Sequence, residues 1–225
     1  MLLDAVAAGR RGPSLRIWVW SGRALVIGSH QSVANEVDSI AAAELGFEVV
    51  RRMSGGGTMV CEEGRTFTYS LYLPDRLVAG MTFVESFAYL DAWVVQALRA
   101  RGVPAGYRPI NDLVSPEGKI AGAAQTRRRG HVLHHTTGAH EIDPAIVPRL
   151  IRIGRPPLVE RGVRSAEKRV TPLRDYLDVP LPEVLELLAE AAGGRRESAA
   201  ESELAAARVL AERKYATPEW TYRLP

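Results

Sequence analysis

Cysteine is almost absent from this sequence, which holds only Cys61 among its 225 residues. An intramolecular disulfide is therefore impossible, and this favours a reducing compartment such as the cytoplasm. Long apolar runs are also absent, because none approaches the roughly 20 residues of a membrane-spanning helix. Residues 1–12 lack the order of a secretory signal peptide, since their acidic residue precedes their arginines. We expect a cytoplasmic protein that does not associate with membranes.

A large excess of one charge is lacking as well. The 29 lysines and arginines nearly balance the 26 aspartates and glutamates, and the formal net charge is +3. A charge this small does not indicate a nucleic-acid partner, and we expect none. Lysine itself is scarce, with only Lys119, Lys168 and Lys214 in an arginine-rich chain. A lysine in a glycine-rich setting here invites a chemical explanation, because arginine does not reproduce its compact, titratable charge.

The residues that are present suffice for one folded domain spanning residues 1–225, since 46% of them are hydrophobic. Apolar runs and alternation predict strands at 14–20, 24–28, 47–50, 59–61, 66–73, 110–114, 119–126 and 131–140. Periodicity of three and four predicts helices at 35–45, 83–101, 181–192 and 198–214. Short hairpin-connected strands with helices grouped around them predict an α+β fold, in which helices cover a mixed, mostly antiparallel sheet.

The most unusual stretch is RRMSGGGT at residues 51–58, between two predicted strands. Three consecutive glycines remove side chains from the backbone, so its N–H groups are open to an anion or a flat ligand. Arg51 and Arg52 at its start favour a phosphate or a carboxylate. The alternative is a tight hairpin loop with two solvated arginines. Neither a Walker loop nor a dinucleotide fingerprint fits the glycine spacing.

A second candidate begins with Lys119, at the head of the small-residue run GKIAGAAQ. Glycine and alanine let a ligand approach this strand closely, and the ammonium is suited to stabilise charge on an acyl or phosphoryl oxygen. The alternative is a solvated turn lysine. Asn111 and Asp112 precede the turn, and Asp112 could orient the ammonium or hold Mg²⁺ through water. An ordinary hairpin ion pair is the other possibility.

Four of the five histidines fall in one predicted strand, at His131, His134, His135 and His140. Because side chains alternate along a strand, His131 and His135 face one side while His134 and His140 face the other. A convergent zinc site is therefore not expected, and we expect no metal bound by the protein alone. His135 is the histidine that we expect to face a ligand.

Two further features leave alternatives open. Cys61 follows the glycine loop, and a nucleophilic cysteine would need a nearby base or a lowered pKa; a buried, inert thiol is the commoner case. The turn formed by Arg127, Arg128 and Arg129 is either a solvated charge run or a contact for an acidic partner.

Taken together, these segments resemble the lipoate–protein ligase A family, within the biotin/lipoate ligase catalytic fold. The resemblance covers nearly the whole chain, and the triple-glycine loop combined with the lysine segment is its most specific part. Biotin ligases match less well in the glycine loop. The matching segments, in the family's order, are IGSHQSVANEVD (27–38), RRMSGGGTMV (51–60), NDLVSPEGKIAGAAQ (111–125), LHHTT (133–137), RGVRSAEKRVTPL (161–173) and KYATPEWTY (214–222).

The resemblance implies a two-step acyl transfer. Lipoate or octanoate reacts with ATP, accompanied by Mg²⁺, to give acyl-AMP and pyrophosphate, and the acyl group then passes to a lysine of a lipoyl domain. It implies that Lys119 is the catalytic residue, contacting carboxylate and phosphate oxygens. The expected substrate and ATP contacts are Arg51, Arg52, Ser54, Gly55, Gly56, Gly57, Thr58, Asn111, Asp112, Gly122, Ala124 and His135.

The resemblance also implies partners. The acceptor would be a lipoyl domain of the 2-oxoacid dehydrogenase E2 or glycine cleavage H protein type. Residues 1–225 match the catalytic domain alone, without the accessory C-terminal domain of this family. Some family members carry that part on a separate polypeptide, so we expect either such a subunit or a ligase that is weak alone.

Departures from the family pattern keep two alternatives open. The family has a His-Asp pair and a Gly-Asn pair after the triple-glycine strand, where this chain has Cys61-Glu62 and Gly64-Arg65, and it has glycine where Thr136 follows His135. One alternative is an ATP-independent octanoyl or lipoyl transferase, a class that uses a cysteine acyl-enzyme. The other is a divergent, non-catalytic paralogue that binds an acyl-adenylate or a partner protein.

Overall fold

The computed structural model describes residues 1–160, 165 and 168–224. Its helices are α1 (Leu2–Ala7), α2 (Val33–Glu36), α3 (Ser39–Glu44), α4 (Phe83–Ala100), α5 (Val147–Leu150), α6 (Leu181–Ala192), α7 (Glu201–Leu210) and α8 (Pro218–Thr221). Its strands are β1 (Ser14–Val19), β2 (Ala24–Ile27), β3 (Glu48–Arg51), β4 (Met59–Cys61), β5 (Thr66–Pro74), β6 (Gly106–Arg108), β7 (Asp112–Val114), β8 (Lys119–Arg128) and β9 (His131–Ala139).

The larger sheet has the order β1-β5-β9-β8-β7-β6, and every neighbouring pair in it is antiparallel. Alternation along β5 turns Phe67 and Tyr69 to one face, where they are buried with Val94 and Leu98 of α4 and with residues of α6. Helix α4 begins at a capping box formed by Thr82 and Glu85. Burial of this shared apolar face holds both helices on the sheet.

The smaller sheet has the order β3-β2-β4, with β3 parallel and β4 antiparallel to β2. The glycine loop therefore joins strands on opposite sides of β2 and crosses the end of that strand. Two backbone hydrogen bonds fix this crossing, from Arg52 N to Ile27 O at 3.0 Å and from Ser29 N to Ser54 O at 2.8 Å. The hairpin-loop alternative is wrong, because β3 and β4 do not pair with each other.

The architecture confirms an α+β fold with a mixed, mostly antiparallel arrangement of strands. Several boundaries differ from the predictions. The helix predicted at 35–45 is two short helices, because Val37 forms an antiparallel bridge with Ile151 and Asp38 caps α3. The strand predicted at 110–114 begins at Asp112 and pairs with β6, which was not predicted. The helix predicted at 198–214 begins at Glu201.

The C-terminal segment packs against the smaller sheet. Trp220 donates its indole N–H to the backbone oxygen of Arg51 at 2.9 Å, and its ring lies edge-on to Tyr215. Among the helices that the structure describes, none combines the length and the apolar character that crossing a membrane requires.

Candidate active site

A cavity of about 670 Å³ opens where the glycine loop faces strand β8. Most of the predicted site residues line it: Arg52, Gly55, Gly56, Gly57, Thr58, Asn111, Lys119, Gly122 and Ala124. Apolar side chains that include Ile142, Val147 and Ile151 extend its wall. The cavity thus combines a polar, glycine-rich side with an apolar slot.

Lys119 reaches into this cavity by folding over its own strand. Asp112 and Gly122 face each other across the β7–β8 pair, and the Lys119 ammonium lies 2.8 Å from Asp112 Oδ1. A side chain at position 122 would block this path, since a Cβ there would lie 2.5 Å from Lys119 Nζ. Burial lowers the pKa of Lys119, and the carboxylate of Asp112 opposes that shift. The predicted Lys119–Asp112 pair is present.

Asp112 also binds a second lysine, Lys168, through Oδ2. Burial alone would raise the pKa of the Asp112 carboxyl, but the ammonium groups of Lys119 and Lys168 outweigh it and hold that pKa below its usual value. Both oxygens are therefore engaged by lysines, and Asp112 orients ammonium groups rather than lining the cavity. This geometry does not favour the alternative in which Asp112 holds Mg²⁺.

Arg52 organises the glycine loop. Its guanidinium donates to Val26 O at 2.8 Å, to Gly55 O at 2.6 Å and to Gly57 O at 2.8 Å. Burial lowers its pKa to about 10, which leaves it charged at neutral pH. Arg52 therefore contributes positive charge to the cavity wall while its hydrogen bonds hold the loop.

Arg51 does not reach the cavity, contrary to its prediction as a ligand contact. Its side chain is buried, and it donates to Gln31 O at 2.6 Å, Gly28 O at 2.9 Å and Thr221 O at 2.7 Å. Gly28 is itself in close contact with the glycine loop, because a Cβ there would lie 2.1 Å from Gly56 O. Arg51 thus ties the C-terminal segment to the loop that supports the glycines.

A buried polar network behind the glycine loop was not predicted. Glu36 accepts hydrogen bonds from the Ser165 N–H at 3.1 Å and hydroxyl at 2.7 Å. Gln31 donates to Ser165 Oγ at 3.3 Å and accepts from Thr58 Oγ1 at 3.1 Å. The network anchors Thr58 and Ser165 at the cavity wall. Gln31 and Glu36 lie in the segment 27–38. The resemblance of that segment to the family was the one sequence feature that could have indicated these two residues.

Ser54 and His135 form a hydrogen bond of 2.6 Å beneath the glycine loop, and neither lines the cavity. The side chain of His134 points to the opposite face of β9 and contacts Asp91 there at 2.6 Å, as strand alternation predicted. Within the described ranges, no group of three His, Cys, Asp or Glu side chains could hold a metal ion. His135 therefore contacts the glycine loop rather than lining the cavity, contrary to its prediction as the histidine that faces a ligand.

Acid should destabilise the fold through His135. Burial and the charge of Arg52 lower its pKa from 6.5 to about 3, so the folded state holds this imidazole neutral. The stability that the neutral form contributes is complete above about pH 6.5 and is lost as the pH falls toward 3, by up to ~1.4 kcal/mol per pH unit. Urea unfolding at pH 7.0, 6.0 and 5.0 should show a shallower decline for His135→Gln than for wild type. Parallel declines would contradict this assignment.

The sequence matches the model of the lipoyl protein ligase A/B catalytic domain over residues 1–193. The chain belongs to this family. An octanoyltransferase LipM from Kyrpidia tusciae is 30% identical over 99% of this chain and 91% of its own length. A lipoate-protein ligase A subunit 1 from Thermoplasma acidophilum is 27% identical over 90% of this chain and 82% of its own length. The family thus includes ligases and transferases.

Solved structures agree with this assignment. A lipoate-protein ligase A bound with ATP superposes with a TM-score of 0.81 at 26% identity, covering 99% of this chain and 92% of its own. A bipartite lipoate protein ligase from Thermoplasma acidophilum, described with its E2 lipoyl domain, gives a TM-score of 0.80 at 26% identity and covers 100% and 91%. This chain therefore has the lipoate ligase fold.

The only cysteine of this family member does not line the cavity, although it follows Val60, which does. Cys61 is fully buried between Ala24 and Val26 of the smaller sheet, and burial raises the pKa of its thiol. A thiol without exposure and with a raised pKa is a poor nucleophile. The structure confirms that Cys61 is buried, which favours the interpretation of an inert thiol.

The basic turn is divided between two environments. Arg127 lies over the Phe83 ring at 4.7 Å and donates to Gln125 Oε1 at 3.1 Å, and both partners line the cavity. Arg128 and Arg129 are exposed at the tip of the β8–β9 hairpin.

The segment 161–173, which resembles the family, falls partly outside the described residues. Of its first seven positions, only Ser165 is described.

Proposed function

We propose that this protein is an ATP-dependent lipoate–protein ligase, which activates lipoate or octanoate as acyl-AMP and transfers the acyl group to a lysine of a lipoyl domain. The observation that carries this proposal is a cavity with Lys119 and Arg52 on its polar side and no cysteine on its wall. Such a site suits acyl transfer through a phosphate anhydride better than through a thioester.

The first step brings two anions together. A carboxylate oxygen attacks the α-phosphorus of ATP, the bond to the bridging oxygen breaks, and pyrophosphate leaves with the electron pair. Lys119 stabilises the developing charge, and Asp112 keeps its ammonium aimed into the cavity. The glycine loop supplies backbone donors without side chains in the way. Mg²⁺ would accompany the triphosphate, since the Asp112 oxygens are engaged by lysines.

The second step needs little further chemistry from the protein. A lysine amine of the acceptor attacks the acyl carbonyl, AMP leaves with the electron pair of the carbonyl–phosphate oxygen bond, and the amine loses a proton. Holding the adenylate rigidly against the loop and β8 provides the alignment for this attack. The apolar slot near Ile142 and Ile151 would hold the acyl tail.

Transfer without ATP is the second candidate, because the Kyrpidia tusciae relative is an octanoyltransferase. Replacing Cys61 by serine should leave the acyl-transfer rate within about twofold of wild type, since the buried thiol does not reach the cavity. The assay follows octanoylation of a lipoyl domain by intact mass, with octanoate plus Mg-ATP in one arm and an octanoyl thioester in the other. Octanoylation that needs only the thioester and is abolished in Cys61→Ser would favour the transferase over the ligase.

A non-catalytic paralogue is the third candidate, suggested by the residues that depart from the family pattern. Glu62 is buried and pairs with Arg23 at 3.2 Å, while Arg65 is exposed and does not line the cavity. Neither substitution therefore obstructs the ligand path. Saturable binding of octanoyl-AMP without any transfer to a lipoyl domain would be the signature of this alternative.

An acidic lipoyl domain would contact the exposed side chains of Arg128 and Arg129 at the tip of the β8–β9 hairpin. Reversing both charges with the pair Arg128→Glu and Arg129→Glu should raise KM for the acceptor by about threefold to tenfold at low salt, because rim charges steer association. The effect should fade at 0.5 M NaCl. The matched control reverses Arg76 and Arg101, two exposed arginines outside the hairpin. An unchanged KM for the acceptor at low salt would contradict the proposal that Arg128 and Arg129 form a docking surface.

A separate accessory subunit is a further part of the proposal. It is supported by the names of two similar proteins, a ligase subunit 1 and a bipartite ligase, both from Thermoplasma acidophilum. If this chain alone forms acyl-AMP and modifies a lipoyl domain at an ordinary enzymatic rate of about 1 s⁻¹ or more, no second subunit is required.

A further inference from the structure

A second lysine, Lys168, lies at the cavity beside Lys119. It lines the cavity, and its ammonium contacts Asp112 Oδ2 on the side opposite Lys119. It is also one of only three lysines in a chain whose other cationic side chains are arginine. Two of the three lysines therefore line the same cavity and share the carboxylate of Asp112.

The backbone fixes Lys168 relative to Lys119. Lys119 N donates to Arg169 O at 2.8 Å, and Thr171 N donates to Lys119 O at 2.9 Å. These bonds form a parallel bridge between Lys119 and Val170, which also lines the cavity. The residue that follows Lys168 is thus hydrogen-bonded directly to Lys119, so the spacing of the two lysines is built into the fold.

The charges at this point do not cancel. Lys119 and Lys168 share the single carboxylate of Asp112, and Arg52 adds a third positive charge whose hydrogen bonds go to neutral carbonyls. The excess of positive charge suits a ligand with more than one negative charge. A triphosphate meets this condition, whereas one carboxylate does not.

The side chains of Lys119 and Lys168 differ in solvent exposure, and this difference suggests different roles. The Lys119 side chain is 26% exposed and lies over Gly122, whereas the Lys168 side chain is 39% exposed. A leaving group departs toward solvent, so the more exposed ammonium is the one suited to face it.

We propose that Lys168 binds the β- and γ-phosphates of the nucleotide and the pyrophosphate that forms from them, while Lys119 serves the α-phosphate and the acyl carboxylate. This inference rests on the proposed ligase function. When the bond from the α-phosphorus to the bridging oxygen breaks, the electron pair passes to pyrophosphate, and Lys168 stabilises the charge that accumulates there. Asp112 holds both ammonium groups in place before the nucleotide arrives.

Equilibrium binding of Mg-ATP and of AMP tests this assignment without requiring turnover. Calorimetric titrations compare wild type with Lys168→Ala, Lys168→Arg and Lys214→Ala. Lys214 is the matched control, because its ammonium lies over the Trp220 ring at 4.3 Å and outside the cavity lining. Lys168→Ala should weaken Mg-ATP by about tenfold and AMP by less than twofold, since one charge-assisted contact to the outer phosphates is lost. Lys168→Arg should restore most of the Mg-ATP affinity.

Three results would overturn the inference. Lys168→Ala could weaken the binding of Mg-ATP and of AMP equally, which would mean that Lys168 only holds Asp112. The affinity of Lys168→Ala for both nucleotides could equal that of wild type, or wild type could bind neither nucleotide. The proposed function is judged separately, by pyrophosphate release from wild type in the presence of lipoate or octanoate. A wild type that binds Mg-ATP through Lys168, releases no pyrophosphate and acylates a lipoyl domain from an octanoyl thioester without ATP would refute the ligase and keep the polyphosphate site.

Discussion

Replacing Lys119 by alanine should lower acid-dependent pyrophosphate release by about 10²–10³-fold, since preorganised charge on a transition-state oxygen contributes on this scale. The lysine is aimed by Asp112 and passes over the bare strand at Gly122, where a Cβ would lie 2.5 Å from its Nζ. Stopped-time measurements of pyrophosphate with saturating Mg-ATP and octanoate give the rate.

The fold should survive this change, because Asp112 retains Lys168 as a partner. Equal urea midpoints for Lys119→Ala and wild type would show that the lost activity is not lost structure. Lys214→Ala removes the same charge outside the cavity and should keep the full rate. A Lys119→Ala rate within tenfold of wild type would mean that the charge developing in adenylation is stabilised elsewhere.

Replacing Arg51 by alanine should destabilise the fold by about 3 kcal/mol or more, because charged hydrogen bonds contribute roughly 1.5–3 kcal/mol each and their buried acceptors would be left unpaired. The acceptors include Gln31 O, Gly28 O and Thr221 O. Arg51→Lys should rescue little, since an ammonium cannot form this planar fork of donors. Urea unfolding followed by tryptophan fluorescence reports the change directly, with Trp220 beside the site.

The matched control for Arg51 is Arg208→Ala, which removes an exposed arginine that pairs with Glu201 at 3.2 Å. Exposed pairs contribute at most about 1 kcal/mol, so this variant should unfold close to wild type. If Arg51→Ala unfolds at the wild-type urea concentration, Arg51 is not the tie between the C-terminal segment and the glycine loop.

Local sequence signals located much of the site. Lys119 and Asp112 were predicted to pair because a short turn brings β7 and β8 together, and the structure confirms this pair. The alternation of His134 and His135 followed from strand geometry alone. These predictions succeeded because the residues concerned are separated by one turn or less.

Contacts between distant parts of the chain could not be predicted in the same way. Arg51 was expected to bind the ligand, but a segment about 170 positions later in the chain buries it and takes its donors. The predicted helix at 35–45 is interrupted because Val37 bridges to Ile151. Lys168 reaches Asp112 only through the bridge between Lys119 and Val170. In each case tertiary contacts determined the local structure, and a local sequence pattern does not encode such contacts.

Pyrophosphate release by the wild-type protein with Mg-ATP, measured with and without lipoate or octanoate, tests the ligase function directly. A ligase should release pyrophosphate only when the acid is present, and should yield one acylated lipoyl domain per pyrophosphate when acceptor is added. No release with either acid, together with acylation of the acceptor from an octanoyl thioester in the absence of ATP, would contradict the ligase function.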